Sequence, residues 1–235
     1  MRINLSELFL NKQNNNTIVP QPGEIWQVNY IVRSPLNFTS QEQQILYSSL
    51  ARSFLTGNSP PRYVMIVKEP DKSVAEDIEK QWLIVYVMLL SVETDYISNI
   101  DLLIPAKISG LEKDLLAETW HIIPALVCNL IKPVGKRLSR QIYEYLLSVR
   151  DYHYGLLAQL PTITEIQQLE FIHKSVHSIN DSKIQDFYQA EQDWSDVLTV
   201  PVAAYYTYWK SISLTNVIIN EALQLEQDLK LDIEG

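Results

Sequence analysis

The sequence predicts an α+β protein, and three observations predict it. Residues 81–92 (Gln-Trp-Leu-Ile-Val-Tyr-Val-Met-Leu-Leu-Ser-Val) are continuously apolar and rich in β-branched and aromatic side chains. That is the pattern of a strand buried on both faces. Further strand-like segments, punctuated by Pro, Gly and Asn, recur between residues 20 and 139. After Asp151 the strand signals fade and three long stretches read as helices. The central strand is therefore expected at 81–92, with Ser91 at its end.

A chain of 235 residues holds one domain or one and a half, and buries roughly 70% of its unfolded surface. The opening residues, Met1-Arg2-Ile3-Asn4-Leu5, lack an apolar run before a small-residue cleavage site, so no leader is expected. No stretch is long enough to cross a bilayer. The single cysteine, Cys128, sits among Ala125, Leu126 and Val127; it cannot form an internal disulfide and reads as a buried thiol. A cytoplasmic protein is expected, with no membrane contact.

The net charge of −9 is unevenly spread. Residues 20–150 carry 13 Lys/Arg against 14 Asp/Glu, whereas 151–235 carry four Lys against 13 Asp/Glu. Nucleic-acid affinity comes mostly from neutralising phosphates. The acidic last third therefore argues against a whole-surface nucleic-acid binder and leaves room for a local site on the neutral part. DNA is not an expected partner. Three parts are expected: an arm over 1–19, a strand-rich domain over 20–152, and an acidic helical extension over 153–235 packed on it.

Along the chain, Asn11 to Asn16 form a polar linker, and Pro20-Gln21-Pro22-Gly23 signals a turn. In 24–32, Trp26, Val28, Tyr30 and Val32 alternate with Ile25, Gln27, Asn29 and Ile31, so a strand with one uniformly apolar side is expected. Residues 40–55, capped by Thr39 or Ser40, read as one amphipathic helix ended by Gly57-Asn58-Ser59-Pro60-Pro61. A second strand covers 62–67, and 71–80 is a charged excursion. Short strands follow at 100–105, at 115–124 (with a bulge or kink) and near 130–134. Ser139 caps a helix over 140–150 with Ile142, Tyr145, Leu146 and Val149 on its apolar face. Helices are expected at 164–179, 182–198 and 214–231, punctuated by Pro161 and Pro201.

Several of these pieces occur together in a known order. They are Pro22-Gly23-Glu24-Ile25-Trp26, the Arg-led strand Arg62-Tyr63-Val64-Met65-Ile66-Val67, Val87-Met88-Leu89-Leu90-Ser91, Gly110-Leu111, Glu118-Thr119-Trp120-His121-Ile122, and Val134-Gly135-Lys136-Arg137-Leu138-Ser139. Through them residues 20–150 resemble the PemK/MazF-like family of toxin endoribonucleases. The resemblance implies an SH3-like β-barrel with a C-terminal helix, usually dimeric, here carrying a helical insertion and a C-terminal helical extension. It implies metal-independent cleavage of single-stranded RNA, with Arg62 and Ser91 in the catalytic positions and Lys68, Lys136 and Arg137 on the RNA. The chemistry suits the residue types. Attack by a ribose 2′-hydroxyl builds charge on phosphate oxygens, a guanidinium offers paired donors to them, and a hydroxyl positions the phosphate or relays a proton. No cofactor and no metal are implied. The chain departs from the family pattern at Tyr63, where proline is usual, in its long 33–61 insertion, and in its lack of basic charge.

Other candidates carry less. His173 and His177 would share a helix face, but no carboxylate or thiol completes a metal site. His121 reads as a half-buried histidine. Gly135-Lys136-Arg137 is too short for a phosphate loop. Tyr205-Tyr206-Thr207-Tyr208-Trp209 suits a core or a protein interface better than base stacking. Two functions compete: a ribonuclease acting through Arg62 and Ser91, or an inactive barrel serving as a protein-interaction or scaffold module, with a protein partner or a second copy as its occupant.

Overall fold

A six-stranded antiparallel sheet lies between helices in the computed structural model, which describes residues 19–70, 82–160 and 177–234, the last 21 of these as backbone only. The expectations for the arm, the 71–80 excursion, most of the 164–179 helix and His173 fall outside the described residues. The strands are β1 (Ile25–Val28), β2 (Tyr63–Lys68), β3 (Ile84–Ser91), β4 (Leu102–Ile104), β5 (Leu115–Leu126) and β6 (Leu130–Val134). Their order across the sheet is β4-β5-β3-β2-β1-β6, with every pairing antiparallel. As the apolar run requires, β3 is central, with Val87 through Ser91 buried.

The sheet does not close into a barrel. Its edges are β4 and β6, which do not pair. A short turn at Val127–Asn129 carries the chain from β5 to β6 on the far edge beside β1. Helices, in place of a closed barrel interior, cover the two faces. On one face Trp26, Val28, Val64, Ile66, Val85, Val87 and Leu89 meet helical side chains Ala51, Phe54, Trp194, Val197 and Leu198. On the other, Ile25, Met65, Met88 and Leu90 pack against Ile142 and Leu146.

Five α-helices occur among the described residues: α1 (Ser40–Leu46), α2 (Ser49–Leu55), α3 (Ala106–Ser109), α4 (Arg140–His153) and α5 (Ser182–Glu234). The single helix expected at 40–55 is two. Thr39 and Glu42 form a reciprocal capping box at the start of α1. Tyr47 then turns extended, and Ser48 caps α2 by accepting from the Ala51 amide. The break is held from α5: the Ser48 amide donates to Asp196 Oδ2 at 2.9 Å, and the Ser48 hydroxyl donates to the Asp193 carbonyl. Ser139 caps α4 as its sequence predicts.

The helices expected at 182–198 and 214–231 are one helix of 53 residues that runs through Pro201. Proline removes one backbone bond, but Leu198, Val202 and Tyr205 on either side of it are buried. That packing carries the helix through the lesion. At 1.5 Å per residue α5 is ~80 Å long. Its buried stripe, Ile184, Phe187, Tyr188, Glu191, Trp194, Leu198, Val202 and Tyr205, recurs every three or four positions, as one face of a helix does. Beyond Tyr205 the helix continues to Glu234. No helix among the described residues is long and apolar enough to cross a membrane.

Candidate functional site

Tyr63 of β2 pairs with Leu90 of β3. The residues one step beyond each, Arg62 and Ser91, therefore lie opposite each other, on the face that carries Val64 and Leu89 because side chains alternate. The two residues singled out in the sequence thus share one end and one face of the central strands. Neither is open. Ser91 is fully buried, and its hydroxyl accepts from the Glu93 amide at 3.1 Å. The Arg62 side chain is 19% exposed.

The cover is α5. Arg62 Nη1 donates to Glu191 Oε1 at 2.7 Å and to Oε2 at 2.9 Å. Its guanidinium carbon lies 4.9 Å from the centroid of the Trp194 ring, a cation–π stack. Trp194 in turn meets Phe54 of α2 edge-to-face at 5.4 Å. Glu191 is 3% exposed. A carboxylate on the buried stripe of a helix needs a partner, and Arg62 is that partner.

A strand irregularity completes the cluster. Met88 pairs with Ile122, but Leu90 pairs with Ala117, so residues 118–121 stand against the single residue Leu89. The bulge expected in this strand is real, and it turns Glu118 and His121 inward. Glu118 is fully buried, with Oε2 3.2 Å from His121 Nδ1. Burial, and then the negative charge of Glu191, push the Glu118 carboxyl well above its ordinary value; Arg62 opposes this. Burial pushes His121 down to about 4, so its imidazole is neutral at pH 7. His121 stacks on Trp120 with centroids 4.4 Å apart.

Beside them Ser98 donates to Asp101 Oδ2 at 2.6 Å and Tyr188 of α5 donates to the same oxygen at 3.0 Å. Burial raises Asp101, and the bonds from Ser98 and Tyr188 lower it in part. Among the described residues, the buried side-chain polar atoms lacking a hydrogen-bond partner are Asp101 Oδ1, Glu118 Oε1, Trp120 Nε1 and Trp194 Nε1. All four residues belong to this seam between sheet and helix.

The expected RNA-binding residues are elsewhere. Lys68 ends β2 and is exposed, about 20 Å along the strand from Arg62. Lys136 lies over Gly110, and Arg137 donates to the Pro22 carbonyl at 2.8 Å. The Gly23 amide beside it donates to Ile66, so this basic group belongs to the Lys68 end of the sheet. Arg137 lines a 560 Å³ groove with Pro22, Leu138, Arg140, Tyr143 and Glu144. The His177 ring Nδ1 lies 3.7 Å from Asp181 Oδ2. No group of three metal-ligating side chains occurs among the described residues. Cys128 is half-buried, and burial pushes its thiol up to about 11. Tyr205 is buried, whereas Tyr206 and Trp209 are exposed.

Sequence reasoning singled out Arg62, Ser91 and His121 and missed Glu118, Glu191 and Trp194. A carboxylate inside the apolar 115–123 strand was a usable signal for Glu118. Glu191 is one of 13 acidic residues in the last third, and its burial on a periodic stripe was its only mark. No model of a known protein family matches the chain, and no curated protein matches it.

Proposed function

We propose that the chain is a divergent PemK/MazF-like module, its sheet an opened relative of the SH3-like barrel, that works as a protein-interaction or scaffold module through its added helices. The observation that carries this reading is the grip of Glu191 and Trp194 on Arg62 over a fully buried Ser91. A phosphate needs the guanidinium donors that Glu191 uses, and a hydroxyl with no exposed surface cannot reach RNA. The strand end that would cleave RNA thus serves as the seat of a helix. The parts added to the small domain, α1, α2 and α5, then carry the surface for a partner. Ile45, Leu46 and Leu50 are exposed on α1 and α2, as are Tyr206 and Trp209 on α5.

A second reading has its own support. A carboxylate from the acidic extension sits on the arginine as a phosphate would. In this reading the chain is a latent ribonuclease held closed by its own helix. One experiment separates the two: full-length protein, Glu191→Gln and Arg62→Ala are each incubated with single-stranded RNA without metal. The interaction-module reading expects no cleavage above the Arg62→Ala background from either of the first two. Cleavage that Arg62→Ala abolishes overturns it, and cleavage by Glu191→Gln alone selects the latent enzyme.

A further inference from the structure

Under α5 the sheet holds more acid than base. Five groups face Glu118: Arg62 from the start of β2, Glu191 and Tyr188 from α5, Asp101 from the segment before β4, and His121 from its own strand. Arg62 alone brings a fixed positive charge, and both oxygens of Glu191 already receive it. His121 is neutral at pH 7. Tyr188 is raised by burial and keeps its proton. Among the described residues Glu118 therefore has no cation of its own, and its Oε1 lacks a partner. Two ionised glutamates around one shared guanidinium, away from water, would leave a buried charge uncompensated. A neutral Glu118 removes that charge and supplies an O–H that can be donated to the Glu191 carboxylate.

We propose that Glu118 is a proton-dependent latch for α5: as the neutral acid it holds the helix on Arg62, and when it ionises it releases the segment around Glu191. The latch rests on the reading of α5 as the cover of Arg62 and adds how that cover is controlled. The sign follows from the group. An acid held above its ordinary value in the folded protein binds its proton more tightly there than in the unfolded chain. Its stabilisation is fully present below the ordinary glutamate value of 4.5 and is lost as pH rises through the folded value. Asp101 acts in the same direction. His121 acts in the opposite one, between 6.5 and about 4. Above pH 6.5 the loss therefore belongs to the carboxyls.

Hydrogen exchange of the full-length protein, followed by mass spectrometry from pH 6 to 9 and corrected for the intrinsic exchange rate, tests the latch. In the wild type, protection of residues 186–198 should fall about tenfold or more across this range while that of α4 holds. In Glu118→Gln, which keeps the shape and cannot ionise, the fall should be several-fold smaller, the remainder belonging to Asp101. An unchanging wild-type profile, or an equal fall in Glu118→Gln, overturns the latch. Should Glu118→Gln not fold, Glu191→Gln removes the facing charge and leaves the burial of Glu118; a smaller fall than in the wild type supports the latch and an unreduced fall overturns it. If residues 186–198 are unprotected in the wild type at every pH, the cover itself fails, and the latch with it.

Discussion

Glu191 occupies a turn of α5 whose neighbours on the same face, Tyr188 and Trp194, are both buried. An apolar residue would fill that place without electrostatic cost. A carboxylate there ties the helix to one point on the sheet, because among the described residues Arg62 is the cation that holds it. The same logic reaches His121. Its imidazole stays neutral because protonation would put a charge into a dry seam beside Trp120. Its titration followed by NMR should have a midpoint near pH 4; a midpoint near 6.5 would mean that the seam is wet. The unfolded chain takes up this proton first as pH falls. His121 thus contributes stability above pH 6.5 that is lost toward its folded value, on the order of 3 kcal/mol. Ser91 carries the opposite lesson. Its hydroxyl was legible as a chemical group, but only the fold reveals that it accepts from Glu93 and meets no solvent.

Elements whose signals are local were legible. The central strand followed from its apolar run and α4 from Ser139 and the spacing of Ile142, Leu146 and Val149, and the bulge or kink expected in the 115–124 strand is present in β5. Elements shaped by distant partners were not. Tyr47 and Ser48 split the expected 40–55 helix because Asp193 and Asp196, about 150 residues away in sequence, take up the Ser48 amide and hydroxyl. Pro201 was read as a stop, yet packing on both sides carries α5 past it. Ser48→Ala loses the cap of α2 and the tie to α5 together. It should lower the unfolding free energy by about 1–2 kcal/mol in urea denaturation; a change below the error of that measurement would place the origin of the break elsewhere. Gly135 adopts φ 64°, and a Cβ there would strike the Ser109 carbonyl oxygen. Gly135→Ala should therefore lower the melting temperature, whereas an Ala at Gly57, which has open space around it, should bring only the smaller strain of its left-handed backbone.

At the scale of the molecule, the closed barrel did not follow from the strands because closure is a property of the edges. With β4 and β6 apart, one sheet face would be bare without α2 and α5. A chain ended after Gly155 uncovers part of the surface formed by Val64, Ile66, Val85, Val87 and Leu89. Such a chain should bind hydrophobic dyes and aggregate, and a monodisperse, soluble product would mean that the last third is dispensable. The acidic extension is in this view structural cover, and its charge has a specific address at Arg62. A double-mutant cycle in urea between Arg62→Met and Glu191→Met measures that address most directly. The grip on Arg62 predicts a coupling energy of about 2 kcal/mol or more, with the double variant recovering part of each single loss. Single losses that add to within about 0.5 kcal/mol would contradict it.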